Sequence, residues 1–249
     1  MSGHSKWANI KHRKAAQDAK RGNLFQKLVR AIIVAAKEGG GDPSMNVRLK
    51  TAIDRAKAAS VPNDNITRAI KRGTGEIDGA SYEEITYEGY GSNGVALMIE
   101  ALTDNRNRTA ADVRALLARG GGSLGESGCV AWMFERKGVI EVKGENIDEE
   151  TIMLACLEAG AEDFEEIEGG YTVYTSPAAL SNVQAALEAA GYEVASAESE
   201  MVPNNTVAVD TVEHAQKILR LLENLEDHDD VQNVYANFDI PDEIMEQIE

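Results

Sequence analysis

KGVIEVKG (137–144), DEETIMLACLEAGA (148–161), EDFEEIEGGYTVYTS (162–176), PAALSNVQAALEAAGY (177–192) and EVASAESEMV (193–202) follow one another along the chain. The first and last read as strands. The second places Ile152, Cys156 and Ala159 on one helical stripe, which makes Cys156 a core residue. The third breaks at Gly169-Gly170, a hairpin turn, and the fourth is again helical. Residues 137–202 therefore spell β-α-β-β-α-β, the order of a split-βαβ, ferredoxin-like sandwich.

Upstream, ITYEGYG (85–91) and GVALMIEALT (94–103) read as strands joined by a Ser-Asn-Gly turn. NRTAADVRALLARGGG (107–122) reads as a helix stopped by glycines, and CVAWMFER (129–136) as a strand. Downstream come a strand in TVAVD (206–210), a helix in TVEHAQKILRLLENLED (211–227) and a strand in VQNVYANFD (231–239). Each flank is a β-α-β half, and together they complete a second split-βαβ sheet interrupted by 137–202. Compact domains tolerate such insertion because their chain ends lie close together.

The first 75 residues are helical throughout. NLFQKLVRAIIVAAKEGGG (23–41) has Asn23 as N-cap and Gly39–Gly41 as its stop. A second helix, in 42–62, carries Val47, Leu49, Ala52, Ile53 and Ala56, and a short third spans 63–75. The expected architecture is α+β and multidomain, with a helical bundle at 1–78. An interrupted α+β domain covers 79–136 and 203–249, and a ferredoxin-like domain, 137–202, is inserted in it.

Charge separates these parts. Residues 1–75 hold 16 Lys/Arg against 5 Asp/Glu, net +11; the rest hold 9 against 37, net −28, within the total of −17. A basic part on an acidic chain implies an anionic partner for that part, which the remainder would repel. No apolar run approaches the ~20 residues of a membrane span, and the N-terminus lacks a secretory pattern. Cys129 and Cys156 show no metal or disulfide spacing. A cytoplasmic monomer without cofactor, metal or obligate small molecule is expected.

Two constellations are candidate nucleic-acid contacts. In the opening stretch Lys6, Lys11, Arg13, Lys14, Lys20 and Arg21 surround Trp7, with His12 a further cation, and Asp18 is the single acid among them. Lysines and arginines neutralise phosphates while an indole stacks on a base. In TDNRNRT (103–109), Asn105, Arg106 and Arg108 sit where a strand becomes a helix. There they either face an anion at the helix N-terminus, or Asp104 or Asn105 caps the helix while the arginines pair with carboxylates. GGGSLGESG (120–128) lacks the Gly-Lys-Ser/Thr of a phosphate loop and reads as a turn. EDHDD (226–230) lacks EF-hand spacing and reads as a solvated loop. No helix followed by a turn and a recognition helix stands out. No enzyme signature emerges.

GHSKWANIKHRKAAQDAKR (3–21), AAKEGGGDP (35–43), YEGYG (87–91), TDNRNRT, GGSLGESGCVAWMF (121–134), LEAGAED (157–163) and LEDHDDVQNVYANF (225–238) together resemble the YebC family. The family includes the mitochondrial translational activator of cytochrome oxidase. The resemblance implies three domains around a cavity. It implies a DNA-binding transcriptional regulator or, alternatively, a translation factor on ribosomal RNA. A small-molecule enzyme in the inter-domain cavity is the outlying alternative. It carries Lys6, Trp7, Lys11, Arg13, Lys14, Asn105, Arg106 and Arg108 as motif residues and names no catalytic residue.

Overall fold

The computed structural model describes residues 18–144, 148–167 and 169–248. It opens with three helices, α1 (Asp18–Gly39), α2 (Val47–Ala58) and α3 (Asn63–Gly73). α1 is central, packing on both α2 and α3, which touch each other little. Ile32 to Ala36 are consequently buried on all sides of α1, the pattern of an enclosed helix. Asn23 is not its cap, because the helix is already formed at Asp18. Asn23 Nδ2 instead donates to the Asp227 carbonyl at 2.8 Å.

Asn46 caps α2, its Oδ1 accepting from Leu49 N at 3.0 Å. Its Nδ2 donates to the carbonyls of Ala35 (2.8 Å) and Gly40 (2.9 Å), tying the end of α1 to the start of α2. A Cβ at Gly39 would come within 2.6 Å of that amide, so only glycine fits there. α2 and α3 are joined by the short turn 59–62, in which Ser60 adopts φ 62°. That left-handed geometry costs an L-residue about 1–2 kcal/mol, partly offset by the extra unfolded-state entropy of glycine. Ser60→Gly is therefore expected to stabilise the trio by about 0.5–1 kcal/mol, read as a thermal midpoint raised by about 1–3 °C.

The remainder is built on two four-stranded antiparallel sheets and a two-stranded ribbon. The first sheet has the order β3-β1-β2-β9, from β1 (Glu83–Tyr90), β2 (Ala96–Thr103), β3 (Ser123–Leu124) and β9 (Val231–Ala236). Helices α4 (Arg106–Arg119) and α7 (Val212–Glu226) cover one face, enclosing Leu97, Ile99, Val113, Leu117, Ile218 and Leu222. The second sheet has the order β5-β6-β4-β7, from β4 (Phe134–Lys143), β5 (Asp163–Ile167), β6 (Gly170–Thr175) and β7 (Glu193–Pro203). Helices α5 (Glu149–Ala159) and α6 (Leu180–Ala189) close it over Ile140, Ile152, Val173, Val183 and Leu187. Cys156 lies in that core, 1% exposed. The protein is thus α+β, and the second layer is carried within the sequence of the first.

The segments flanking 137–202 differ from expectation in detail. CVAWMFER is not one strand: Ala131–Met133 form a 3₁₀ turn, and β4 begins at Phe134. β4 pairs with β7 from Phe134 through Lys143, so a division between residues 136 and 137 cuts a continuous strand. TVAVD supplies only β8 (Val207–Ala208), paired in parallel with β10 (Phe238–Asp239). β1 lies beside β2 as the turn between them requires, registered from Glu83↔Thr103 to Tyr90↔Ala96. A short helix, α8 (Asp242–Met245), ends the fold.

Candidate nucleic-acid interface

Lys6, Trp7, Lys11, His12, Arg13 and Lys14 lie outside the described residues. Lys20 and Arg21 fall within α1, and their side chains are likewise outside the description. Most of the described cations of the helical trio fall into two sets; Lys37 instead donates to Ser81 Oγ at 2.7 Å. One set faces the α/β body. Lys27 Nζ donates to the Glu226 carbonyl, and Arg30 Nη1 reaches the Asp229 carbonyl (2.6 Å) and Asp230 Oδ1 (2.7 Å). Arg48 Nη2 meets Glu84 at 2.9 Å, and Arg55 Nε meets Glu198 at 3.0 Å. The other set points outward. The buried stripe of α2 is Leu49, Ala52, Ile53 and Ala56, leaving Lys50 and Lys57 exposed. α3 buries Ile66 and Ala69, leaving Arg68 and Lys71 exposed on its far side. Among the described residues, none of these four has an acidic partner. Sequence reading missed them because, taken singly, each is an ordinary surface cation.

The Asn105, Arg106 and Arg108 motif is brought together at the start of α4. Asn105 Oδ1 caps the helix, accepting from Arg108 N at 3.1 Å. Arg108 Nη2 is shared between Asp104 (2.9 Å) and Asp230 (2.8 Å). Those carboxylates hold its guanidinium more firmly protonated than usual. Arg108 therefore engages carboxylates, as the capping alternative requires. Arg106 is 66% exposed, and its nearest carboxylate is Glu83 at 3.7 Å.

Asp230 is the hub, 2% exposed. Its Oδ1 takes Arg30, and its Oδ2 takes Arg108 and the Thr109 hydroxyl at 2.7 Å. Burial pushes its carboxyl up, but the hydrogen bonds from Arg108 and Thr109, with the charges of Arg108 and Arg30, hold it below its ordinary value. EDHDD is therefore not simply a solvated loop. His228 Nδ1 accepts from Asp230 N at 3.1 Å, and its Nε2 lies 3.3 Å from Asp112. These groups line an open cleft of about 570 Å³ between α1, α4 and the loop. Among the described residues, no cluster of three or more His, Cys, Asp or Glu is placed to hold a metal ion.

The phosphate-loop look-alike has a different explanation. Glu88, 8% exposed on β1, accepts from the N–H groups of Gly128 (2.6 Å), Val130 (2.9 Å) and Ala131 (2.8 Å). A carboxylate of the chain itself fills the donor nest that a phosphate would seek. Burial raises the Glu88 carboxyl, and the three N–H donors outweigh burial and hold it low. The same bonds fix Val130 and Ala131 in a turn, which is why residues 129–133 do not form a strand.

Residues 5–76 match the model of the TACO1/YebC protein N-terminal domain, and residues 82–238 match that of the TACO1/YebC second and third domain. The chain belongs to the TACO1/YebC family. Members similar to it include three named "Probable transcriptional regulatory protein". That of Halothermothrix orenii is 57% identical over 100% of this chain and 99% of its own length. That of Pelotomaculum thermopropionicum is 59% identical over 97% and 100%, respectively. That of Moorella thermoacetica is 59% identical over the full length of both. A crystal structure of a conserved hypothetical protein from Aquifex aeolicus superposes with a TM-score of 0.86 at 50% identity, covering 96% of this chain and 99% of that one. The seam between the two TACO1/YebC family models falls between α3 and β1, where the helical trio meets the sheets. No described helix is long and apolar enough to cross a membrane.

Proposed function

We propose that this protein is a nucleic-acid-binding regulator of gene expression that grips phosphate with its helical trio and the basic stretch preceding it. The observation that carries the reading is the outward set Lys50, Lys57, Arg68 and Lys71, exposed and without acidic partners among the described residues. It continues the basic run Lys6, Lys11, Arg13, Lys14, Lys20 and Arg21, on a chain whose remainder carries net −28. Trp7 supplies a stacking surface and His12 a further cation; Arg106 is the exposed member of the second motif. DNA is the favoured target on two grounds. Relatives are named transcriptional regulators. In addition, α3 exposes Asn65, an amide able to meet base edges, beside Arg68 and Lys71, which can meet phosphates. Ribosomal RNA is the second reading, favoured by the acidic body, which would repel a long duplex. No catalytic step is assigned, because Glu88 and Asp230, the buried carboxylates, are consumed by internal hydrogen bonds.

Binding measured against salt with a duplex DNA and a single-stranded RNA tests this. Arg68→Ala with Lys71→Ala should weaken binding to all sequences and flatten the slope of log K against log[salt] by about 1.4–1.8 for two lost phosphate contacts. An unchanged slope would remove α3 from the interface. Salt-independent binding by the intact protein would remove the phosphate grip altogether.

A further inference from the structure

We propose that Lys27, Arg30, Arg48 and Arg55 form a second phosphate-binding face of the helical trio, engaged here by the chain's own acidic body and freed when a nucleic acid displaces it. The inference rests on the phosphate-binding reading above and extends it to cations that are already paired in this conformation. Lys27 and Arg30 are three apart on α1, and Arg48 and Arg55 seven apart on α2, so each pair shares a helix face. Every one of them reaches an oxygen of the body, the Glu226 and Asp229 carbonyls and the Asp230, Glu84 and Glu198 carboxylates, and Arg48 also keeps Glu38 of α1 on its other arm. These oxygens stand where phosphate oxygens would stand.

The covering is built to come off. Among the described residues, the apolar cluster of the trio takes only one from beyond it, Tyr82. Arg30 stacks on that ring at 5.1 Å. No helix of the trio packs extensively on a strand or helix of the body. The Arg48 and Arg55 contacts, made by side chains about half exposed (48% and 44%), are screened by salt and open to competition by a denser anion, whereas the Arg30–Asp230 pair, 14% and 3% exposed, is the firmer hold. Release of Arg30 does not strand a buried charge, since Asp230 keeps Arg108 and Thr109 on its other oxygen. Arg108 is thus a positioning residue that holds the covering carboxylate in place whether the trio is docked or not.

The test uses the full chain with a short duplex DNA and a single-stranded RNA oligonucleotide. Glu84→Gln with Glu198→Gln removes two covering charges from side chains 47% and 36% exposed while keeping their size. Affinity should rise about three- to tenfold. The charge-matched control Glu149→Gln with Glu158→Gln, on α5, should change it by less than about twofold, because that helix meets no cation of the trio. Without nucleic acid, small-angle scattering should show the radius of gyration rising as salt goes from about 0.05 to 0.5 M and screens the junction. Wild-type binding with no gain in the Glu84/Glu198 variant, or an equal gain in the control, overturns the inference alone, as does a radius independent of salt. Failure of every form to bind either oligonucleotide overturns the proposed function together with it.

Discussion

Glu88→Ala is expected to destabilise the protein by about 3–5 kcal/mol, the largest effect of any single substitution considered. It leaves the N–H groups of Gly128, Val130 and Ala131 without their acceptor, and each buried donor left unsatisfied costs about 1–3 kcal/mol. The loop that loses its anchor carries Trp132, whose Nε1 donates to the Cys129 carbonyl at 3.1 Å. In a Trp7→Phe background Trp132 is the only indole of the two in the chain, and its emission should shift on mutation together with a lowered denaturation midpoint. Glu88→Gln keeps one oxygen and should lose less. An unchanged midpoint in Glu88→Ala would mean that the loop is held by its apolar contacts alone.

Asp230→Ala should cost about 2–4 kcal/mol. Removing one partner of a buried ion pair typically costs 3–5 kcal/mol, and the discount reflects Arg108, 47% exposed and able to find water. Arg30, whose side chain is only 14% exposed, bears most of the loss. Combining Asp230→Ala with Arg108→Ala should cost clearly less than the two changes added separately, since both delete one interaction. Additive losses would show that the two side chains stabilise the protein independently.

Both carboxyls lie below their ordinary values, which fixes the sign of the pH dependence. A group whose folded pKa is depressed contributes fully above its unfolded pKa, about 4, and its contribution is lost as pH falls through the folded value. Wild-type stability should therefore fall as pH drops below about 4. Glu88→Gln, lacking one of the two groups, should show a shallower loss over the same range.

Most of the architecture was legible in the sequence because it is local. The short apolar run around VIEV and the stripe Ile152, Cys156, Ala159 are set by neighbouring residues alone, and these elements fold where they were read. Charge asymmetry was likewise legible, since composition needs no structure. Other features were not local. Along β1, Glu84, Thr86 and Glu88 share one face by alternation. Sequence cannot say that the 128–131 turn comes down over Glu88 and buries it while Glu84 stays at the surface to meet Arg48. Asp230 carries no motif of its own; it becomes a hub only when α1 and α4, 200 and 122 residues distant at Arg30 and Arg108, converge on it. The sequence by itself determined which segments are helix or strand and which part of the chain is cationic. Only the tertiary structure decided which cations are spent on the chain's own carboxylates and which are left exposed, because that depends on which surfaces meet across the fold.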